Sequence, residues 1–551
     1  MQPISRRLFL LSSVAVVVAA CSDGDGAAPS PTDPATTDPA TTDPAPTDPP
    51  PTDPAATDPA TTLPPTTLPA DPFTLGVASG DPTSASVVLW TRLAPDPLNG
   101  GGMPADDVAV TWELSATDTF ASIDATGTVM ATAAHAHSVH ALITPPAGTG
   151  PGGGRFFYRF QAAGYTSPVG VTAFAPAAGE GTGTVRFASA SCQHYESGFY
   201  VAHRDLAAQQ PDFVVFLGDY IYEGAGNAIG SNDNVRTHET DECTTLAGYR
   251  DRYALYKSDP DLQAAHAAAP WLVIWDDHEV ENNYAGLVPQ NAADAAGFEQ
   301  RRRQAYQAWW EHQPVALPAP PEQGDYPIYR SMQWGGLITL ALVDGRQYRT
   351  DQACGDPGLS LDPACQETFD ETRTMLGDAQ EQWLLDVLAT STSTWNVIGN
   401  QTVFGDVTLG GAVLNYDQWD GYPAERNRIV ESLDPSTNTV VLTGDIHFAG
   451  VGNIRTGGRG VGAPAAVEFV ATSISSGGLI DPAVTDLVKS IPDIVDVELL
   501  HRGYILHEVD ATGWTAEYRM MDTVKAEESA SFVHATYRVE AGTNTVAIAS
   551  I

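Results

Sequence analysis

Phe213-Val214-Val215-Phe216-Leu217-Gly218-Asp219-Tyr220-Ile221-Tyr222-Glu223 opens with five apolar residues and then turns abruptly to a glycine, carboxylates and phenols. An apolar run without polar alternation is what a strand covered on both faces requires, so its first half reads as a central strand of an α/β sheet. Residues 185–190, 271–275, 337–343, 395–398 and 439–442 have the same form. Longer helical stretches separate them, among them residues 301–312, stopped by Pro314. Strands alternating with helices predict a layered α/β domain.

The segments immediately after these strands carry the chemistry. Ser191-Cys192-Gln193 comes after the first, Gly218-Asp219-Tyr220-Ile221-Tyr222-Glu223 after the second, Asp276-Asp277-His278-Glu279 after the third and Gly444-Asp445-Ile446-His447 after a later one. In open α/β sheets the carboxyl ends of the strands line the binding crevice, so these segments meet in space. Taken singly, each has an ordinary reading: an Asp caps a helix or forms a turn, and a Cys behaves as a small buried hydrophobe. Four strand ends each bearing ligand-type side chains point instead to a metal site.

These residues resemble the calcineurin-like metallophosphoesterases, and within them the PhoD-type alkaline phosphatases and phosphodiesterases. The superfamily pattern runs Asp-x-His, Gly-Asp, Gly-Asn-His-Glu, Gly-His-x-His. Here Ser191-Cys192-Gln193, Trp275-Asp276-Asp277-His278-Glu279 and Gly444-Asp445-Ile446-His447 replace the first, third and last elements, which is the PhoD-type signature. The resemblance extends from Phe73 onward and includes Phe73-Thr74-Leu75-Gly76-Val77-Ala78-Ser79-Gly80-Asp81-Pro82. It implies a metallophosphoesterase αββα sandwich over 183–551, holding Fe(III) and Ca(II). By that resemblance Cys192, Tyr222 and His447 serve iron, Asp219 bridges, and Asp277 and Asp445 hold calcium with Asn283 nearby; Asp276 is the alternative ligand in its segment. Thiolate and phenolate suit ferric iron, and carboxylate and amide oxygens suit calcium.

His278 takes the place of the superfamily's phosphate-side histidine, for phosphate contact or proton donation to the leaving alcohol. Arg346 or Arg349 in Asp344-Gly345-Arg346-Gln347-Tyr348-Arg349 is expected to meet phosphate, bracing of a loop carboxylate being the alternative. Asn400 ends another apolar strand and either orients substrate or caps. The implied activity is hydrolysis of phosphate monoesters and diesters for phosphate scavenging. The alternatives are a phosphodiesterase acting on phospholipid or wall teichoic acid, and a tethered binding protein, the last disfavoured because every ligand type is present.

Outward from this core, 71–178 reads as short strands between Gly and Pro clusters, with Val108-Ala109-Val110-Thr111-Trp112-Glu113-Leu114 alternating as a half-buried strand does. A small all-β sandwich of immunoglobulin or fibronectin type is expected there. Residues 22–70 repeat Thr-Asp-Pro and cannot build a core, so they read as a disordered, solvated linker. Residues 1–21 present Ser5-Arg6-Arg7-Leu8-Phe9-Leu10 and an apolar run to Ala20, too short to span a bilayer, which needs about 20 residues. This is a twin-arginine signal, and Val18-Ala19-Ala20-Cys21 resembles a lipobox that would leave Cys21 lipidated; a plain signal peptide ending in cysteine is the alternative. The expected location is the outer side of the cytoplasmic membrane, as a cell-envelope lipoprotein, or the medium, as a secreted protein.

The formal charge of −41 disfavours nucleic-acid binding through phosphates. Contact with the membrane is expected only through the N-terminal lipid, and a monomer is expected. Of the five cysteines, Cys354 and Cys365 bracket a Gly, Asp and Pro-containing loop and are the candidate disulfide in an oxidising compartment. Cys192 and Cys243 form either a second bridge or free thiols, and with Cys192 a ligand, Cys243 has no assigned role. Near the end, Tyr504-Ile505-Leu506 and Trp514-Thr515-Ala516-Glu517-Tyr518 read as strands, and whether 523–536 forms a helical lid is left open by the sequence.

Overall fold

Unbroken apolar runs become central strands because both of their faces are covered. Val185–Ala190, Phe213–Phe216 and Pro270–Val273 lie side by side in parallel in one sheet. Ile338–Leu342, Trp395–Gly399, Asn438–Thr443 and Pro464–Val470 do so in a second. In this computed structural model the described residues are 67–551 apart from 69, 182, 229–232, 359 and 479–484. The twin arginine, Cys21 and the linker to residue 66 lie outside the described residues.

The two sheets, of ten and seven strands, pack face to face. Aromatic side chains fill the space between them: Phe187 stacks on Phe213 at 4.6 Å between ring centroids, and Trp395 meets Trp514 edge-on at 5.5 Å. Helices Val201–Gln209, Leu246–Lys257, Pro260–Ala268 and Phe298–His312 cover the larger sheet. Asp378–Thr390 and Pro423–Ser432 cover the smaller one, burying Leu384, Ile429 and Val430 against Ala341, Ile398 and Val441. The layers therefore run helix, sheet, sheet, helix.

The N-terminal β region is a sandwich, but one of its two sheets is not its own. Val77–Gly80, Val87–Arg92 and Ser138–Ile143 extend the ten-stranded sheet, with Ser79 and Gly80 in parallel register with Pro270 and Trp271. Across a core of Val87, Leu89, Val110, Leu114, Tyr158 and Phe160 they face a five-stranded sheet built on Val108–Ser115 and Gly154–Ala162. The join is close enough to require glycine: a Cβ on Gly80 would stand 2.1 Å from the Pro314 carbonyl oxygen and 2.5 Å from that of Trp271.

At the other end, Arg502–Val509 pairs antiparallel with Val185–Ala190 and with Gly513–Met521. Segment 523–536 contains no helix and no lid. It turns at 523–530 and enters the strand Ser531–Glu540, paired with Gly513–Met521. There Ala535, Tyr537 and Val539 face inward at every second residue, the period of a strand.

Candidate metal centre

All four ligand-bearing segments leave the carboxyl ends of parallel strands on one rim. The first two are zipped together, with Cys192 N donating to Gly218 O at 3.1 Å and Gln193 N to Asp219 O at 3.0 Å. Glu279 ties in the third: its carboxylate accepts from the amides of Asp219 at 3.1 Å, Tyr220 at 2.6 Å and Asp276 at 2.8 Å. Burial pushes the Glu279 carboxyl up to about 8. Cys192, Asp219, Asn283, Asp445 and His447 all have left-handed backbones, with φ between 53° and 65°. Non-glycine residues seldom adopt that conformation, and five of them gather here, although turns elsewhere in the chain, at Phe120, Ala136 and Gln210 among others, adopt it too.

The side chains converge in three overlapping groups, each with ligand atoms within 4.8 Å of one another: Cys192, Asp219 and His447; Asp219, Asp277 and His278; Asp276, Asp277 and Asp445. Asp219 belongs to two of them. Its Oδ2 accepts from the Tyr222 hydroxyl at 2.7 Å, whereas its Oδ1 is buried without a hydrogen-bond partner. A buried carboxylate oxygen without a donor is costly unless a cation meets it. Burial pushes the Asp219 carboxyl, the Cys192 thiol and the Tyr222 phenol well above their ordinary ranges. A bound cation is what makes anions of such groups.

Orientation is fixed from behind. His447 Nδ1 donates to Gly477 O at 2.7 Å, which leaves Nε2 at 3.1 Å from the Tyr222 hydroxyl. Asp277 receives the amide of its neighbour His278 at 2.9 Å and that of Asn283 at 2.7 Å. Burial acts to raise the Asp277 carboxyl, but Arg346 and His278 outweigh it and hold the group below the usual carboxylate range. His278 Nδ1 lies 2.7 Å from Glu223 Oε2. Against the desolvation of burial, Glu223, Asp277 and Asp219 hold the imidazole well above its ordinary value.

Arg346 is not where a phosphate-contacting arginine would be. Its guanidinium is fully buried behind the carboxylates, paired with Asp276 Oδ1 and with Asp417 at 2.8 Å, and 3.7 Å from both Asp277 and Asp445. The carboxylates surrounding it need a counter-charge, and a fully buried guanidinium enclosed by them is not open to substrate. Arg349 likewise binds Asp417 at 3.1 Å and the Tyr422 hydroxyl. Asn400 is turned into its own loop, its amide donating to Thr402 O, as a capping residue does. Asp276 is engaged by Arg346, while Asp277 is free of so close a cation.

Asp417, Gln418 and Gln352 have no part in the sequence-based expectation, yet they stand behind the ligands. Gln418 donates to Asp445, and Gln352 spans Asp417 at 2.7 Å and the Asn283 carbonyl at 2.8 Å. None comes directly after an apolar strand, so no pattern flags them. Cys354 and Cys365 form a disulfide, and Asp356 in the loop it closes accepts from the Asn283 amide at 3.1 Å. Cys192 and Cys243 are both free and buried, so no bridge joins them. A further buried group, His194, Glu196 and His238, has a bracing function instead: both Glu196 oxygens accept the Asn227 amide, at 2.9 and 3.1 Å, and one also accepts that of His238 at 2.9 Å.

With this geometry in hand, the likenesses to known proteins are specific. A family described as PhoD-like phosphatase matches residues 187–518, and its N-terminal domain matches 58–176. Alkaline phosphatase D of Bacillus subtilis (strain 168) is 43% identical over 479 residues, covering 85% of this chain and 80% of that protein. A solved structure described as the structure of PhoD aligns with a TM-score of 0.83 and 41% identity, over 88% of this chain and 93% of that one.

Proposed function

The chain belongs to the PhoD-like phosphatase family and is a phosphoric-ester hydrolase; from that premise we propose that it is an exported, lipid-anchored alkaline phosphatase that uses Fe(III) and Ca(II) on monoesters and diesters. The observation that carries the reading is a chain of donor groups: Asp219 stands with the thiol, phenol and imidazole of Cys192, Tyr222 and His447, and also with Asp277, which in turn stands with Asp276 and Asp445. Cys192, Tyr222 and His447 would hold iron; Asp277, Asp445 and the Asn283 amide would hold calcium; Asp219 would serve both. When bound, such cations supply Lewis acidity toward the phosphoryl oxygens and the attacking water.

The chain's own residues do the rest. His278, fixed through Nδ1 on Glu223, keeps Nε2 for the leaving oxygen and would hold the proton that oxygen needs. Arg346 lowers the mutual repulsion of Asp276, Asp277, Asp417 and Asp445, so that they stay close before any cation arrives. His278→Ala is expected to keep its metals and lose turnover by roughly 10²- to 10⁴-fold, the usual range for a general acid. Metal analysis beside nitrophenyl phosphate kinetics checks this, and unchanged turnover removes the role.

Export rests on Ser5-Arg6-Arg7-Leu8-Phe9-Leu10 and on Cys21 after Val18-Ala19-Ala20. No helix among the described residues is long and apolar enough to cross a membrane. One experiment tests the whole reading. Nitrophenyl phosphate monoester and diester hydrolysis is measured in cell fractions, with and without chelator and after calcium return. Activity should sit in the membrane fraction, disappear with chelator and recover with calcium; Cys21→Ser should release it to the soluble fraction. Turnover that survives complete metal removal would end the two-metal reading, and a Cys21→Ser protein that stays on the membrane would end the lipid anchor.

A further inference from the structure

Between Pro464–Val470 and Arg502–Val509 the chain makes a turn that belongs to none of the four ligand-bearing segments. Ser473 forms a parallel bridge with Ser191, and Ile474 N donates to Ser191 O at 3.0 Å, which brings the turn against the first of those segments. The buried Ser476 hydroxyl lies 2.8 Å from the Tyr222 phenol oxygen and 2.9 Å from the Cys192 carbonyl, and accepts the His194 amide at 3.0 Å. The next residue supplies the carbonyl that accepts from His447 Nδ1 at 2.7 Å. One dipeptide, Ser476-Gly477, therefore touches Cys192, Tyr222 and His447, the three non-carboxylate members of the donor set.

The turn is itself held rigidly. Ser473 Oγ donates to Ser476 O at 2.9 Å, and Arg502 Nε donates to the same oxygen at 2.6 Å. Arg502 fits because residue 478 is glycine; a Cβ there would stand 2.4 Å from its Nη2. The guanidinium's other hydrogen bonds also go to backbone carbonyls, of Leu500 and His501, so its work here is bracing.

Ser476 has one proton and two acceptors within reach. As a neutral phenol, Tyr222 gives its own proton to Asp219, so its oxygen is open to a donor from the Ser476 side. As a phenolate it is a much stronger acceptor than the Cys192 carbonyl, because hydrogen bonds to charged groups are roughly twice as strong as neutral ones. We propose that Ser476 is a positioning residue that donates a hydrogen bond to the Tyr222 phenolate and, with Gly477, sets the orientation of the iron ligands. The proposal rests on the iron reading of this centre. Groups behind a metal ligand commonly account for about 10- to 100-fold in affinity or activity.

The test reads the ligand as well as the rate. A phenolate on Fe(III) gives a visible charge-transfer band, and removing a hydrogen bond from the phenolate raises its donor level and moves that band to longer wavelength. In the iron-loaded protein Ser476→Ala is expected to retain iron, shift the band to the red and lower kcat about tenfold, while Ser476→Thr restores the band position. A band left in place by Ser476→Ala overturns the proposal and leaves the iron reading intact. Iron-loaded, active wild-type protein with no such band removes Tyr222 from the iron ligands and the proposal with it, while active protein that holds no iron removes the iron reading. Should Ser476→Ala fail to fold, the wild-type phenolate C–O vibration is compared in H2O and D2O: a shift supports the hydrogen bond, and none overturns it.

Discussion

Asp219→Asn is expected to abolish hydrolysis, with kcat down by about 10³-fold or more. Asp219 belongs to two of the ligand groups, as Asp277 does, and owns a buried oxygen with no hydrogen-bond donor. Lewis-acid stabilisation is worth several kcal/mol, and each 1.4 kcal/mol or so is a factor of about ten in rate. Asparagine is the informative replacement because it tolerates the left-handed backbone at 219, where φ is 57°, so the loss is not one of folding. Stopped nitrophenyl phosphate assays with metal analysis decide the matter. A variant within tenfold of wild type in rate, with both metals retained, would show that Asp219 does not bridge.

Arg346→Met is expected to destabilise the metal-free protein by about 3–5 kcal/mol, the usual cost of removing one partner from a buried charge network. The guanidinium has Asp276, Asp277, Asp417 and Asp445 within 4 Å and no solvent to screen them once it is gone. Asp417 shows the dependence directly: burial acts to raise its carboxyl, and Arg346 and Arg349 more than reverse this, holding it below its ordinary value. A group with a depressed folded-state pKa adds stability above its unfolded pKa and loses it as pH falls. In the variant the depression is relieved, so the deficit against wild type should be largest near neutral pH and shrink as the carboxylates protonate in acid. Urea denaturation from pH 7 down toward pH 4 measures it; equal midpoints at pH 7 would remove the counter-charge role. Adding Asp417→Asn to Arg346→Met should recover part of the loss, the sign of direct coupling.

How far the sequence was legible depends on the kind of signal each residue leaves. Central strands such as Phe213–Phe216 and Asn438–Thr443 announce themselves because burial on both faces forces unbroken apolar runs. The side chains just beyond them, Cys192, Asp219, Tyr222, Asp277, Asp445 and His447, were locatable because parallel sheets deliver strand ends to one rim. Asp417, Gln418 and Ser476 left no such mark, since irregular segments place them and only the folded chain brings them behind the ligands. For Arg346 the sequence leaves phosphate contact and carboxylate bracing both open, and the fold places it on the carboxylates: position after a strand says that a side chain reaches the rim, not which way it faces. The sandwich over 71–178 was legible as strands, whereas its sharing of the large sheet depends on an edge pairing, Ser79 with Pro270, that has no periodicity of its own.

The strand that leads into Cys192 has one neighbour close in sequence, Phe213–Phe216, and another, Arg502–Val509, far along the chain. Contacts of such long range are slow to form and cannot form at all on a ribosome that has not yet reached them. Val77–Gly80 must wait in the same way for Pro270–Val273. The strand beneath Cys192 therefore gains its second neighbour only after every candidate ligand segment, the last ending at His447, has been made.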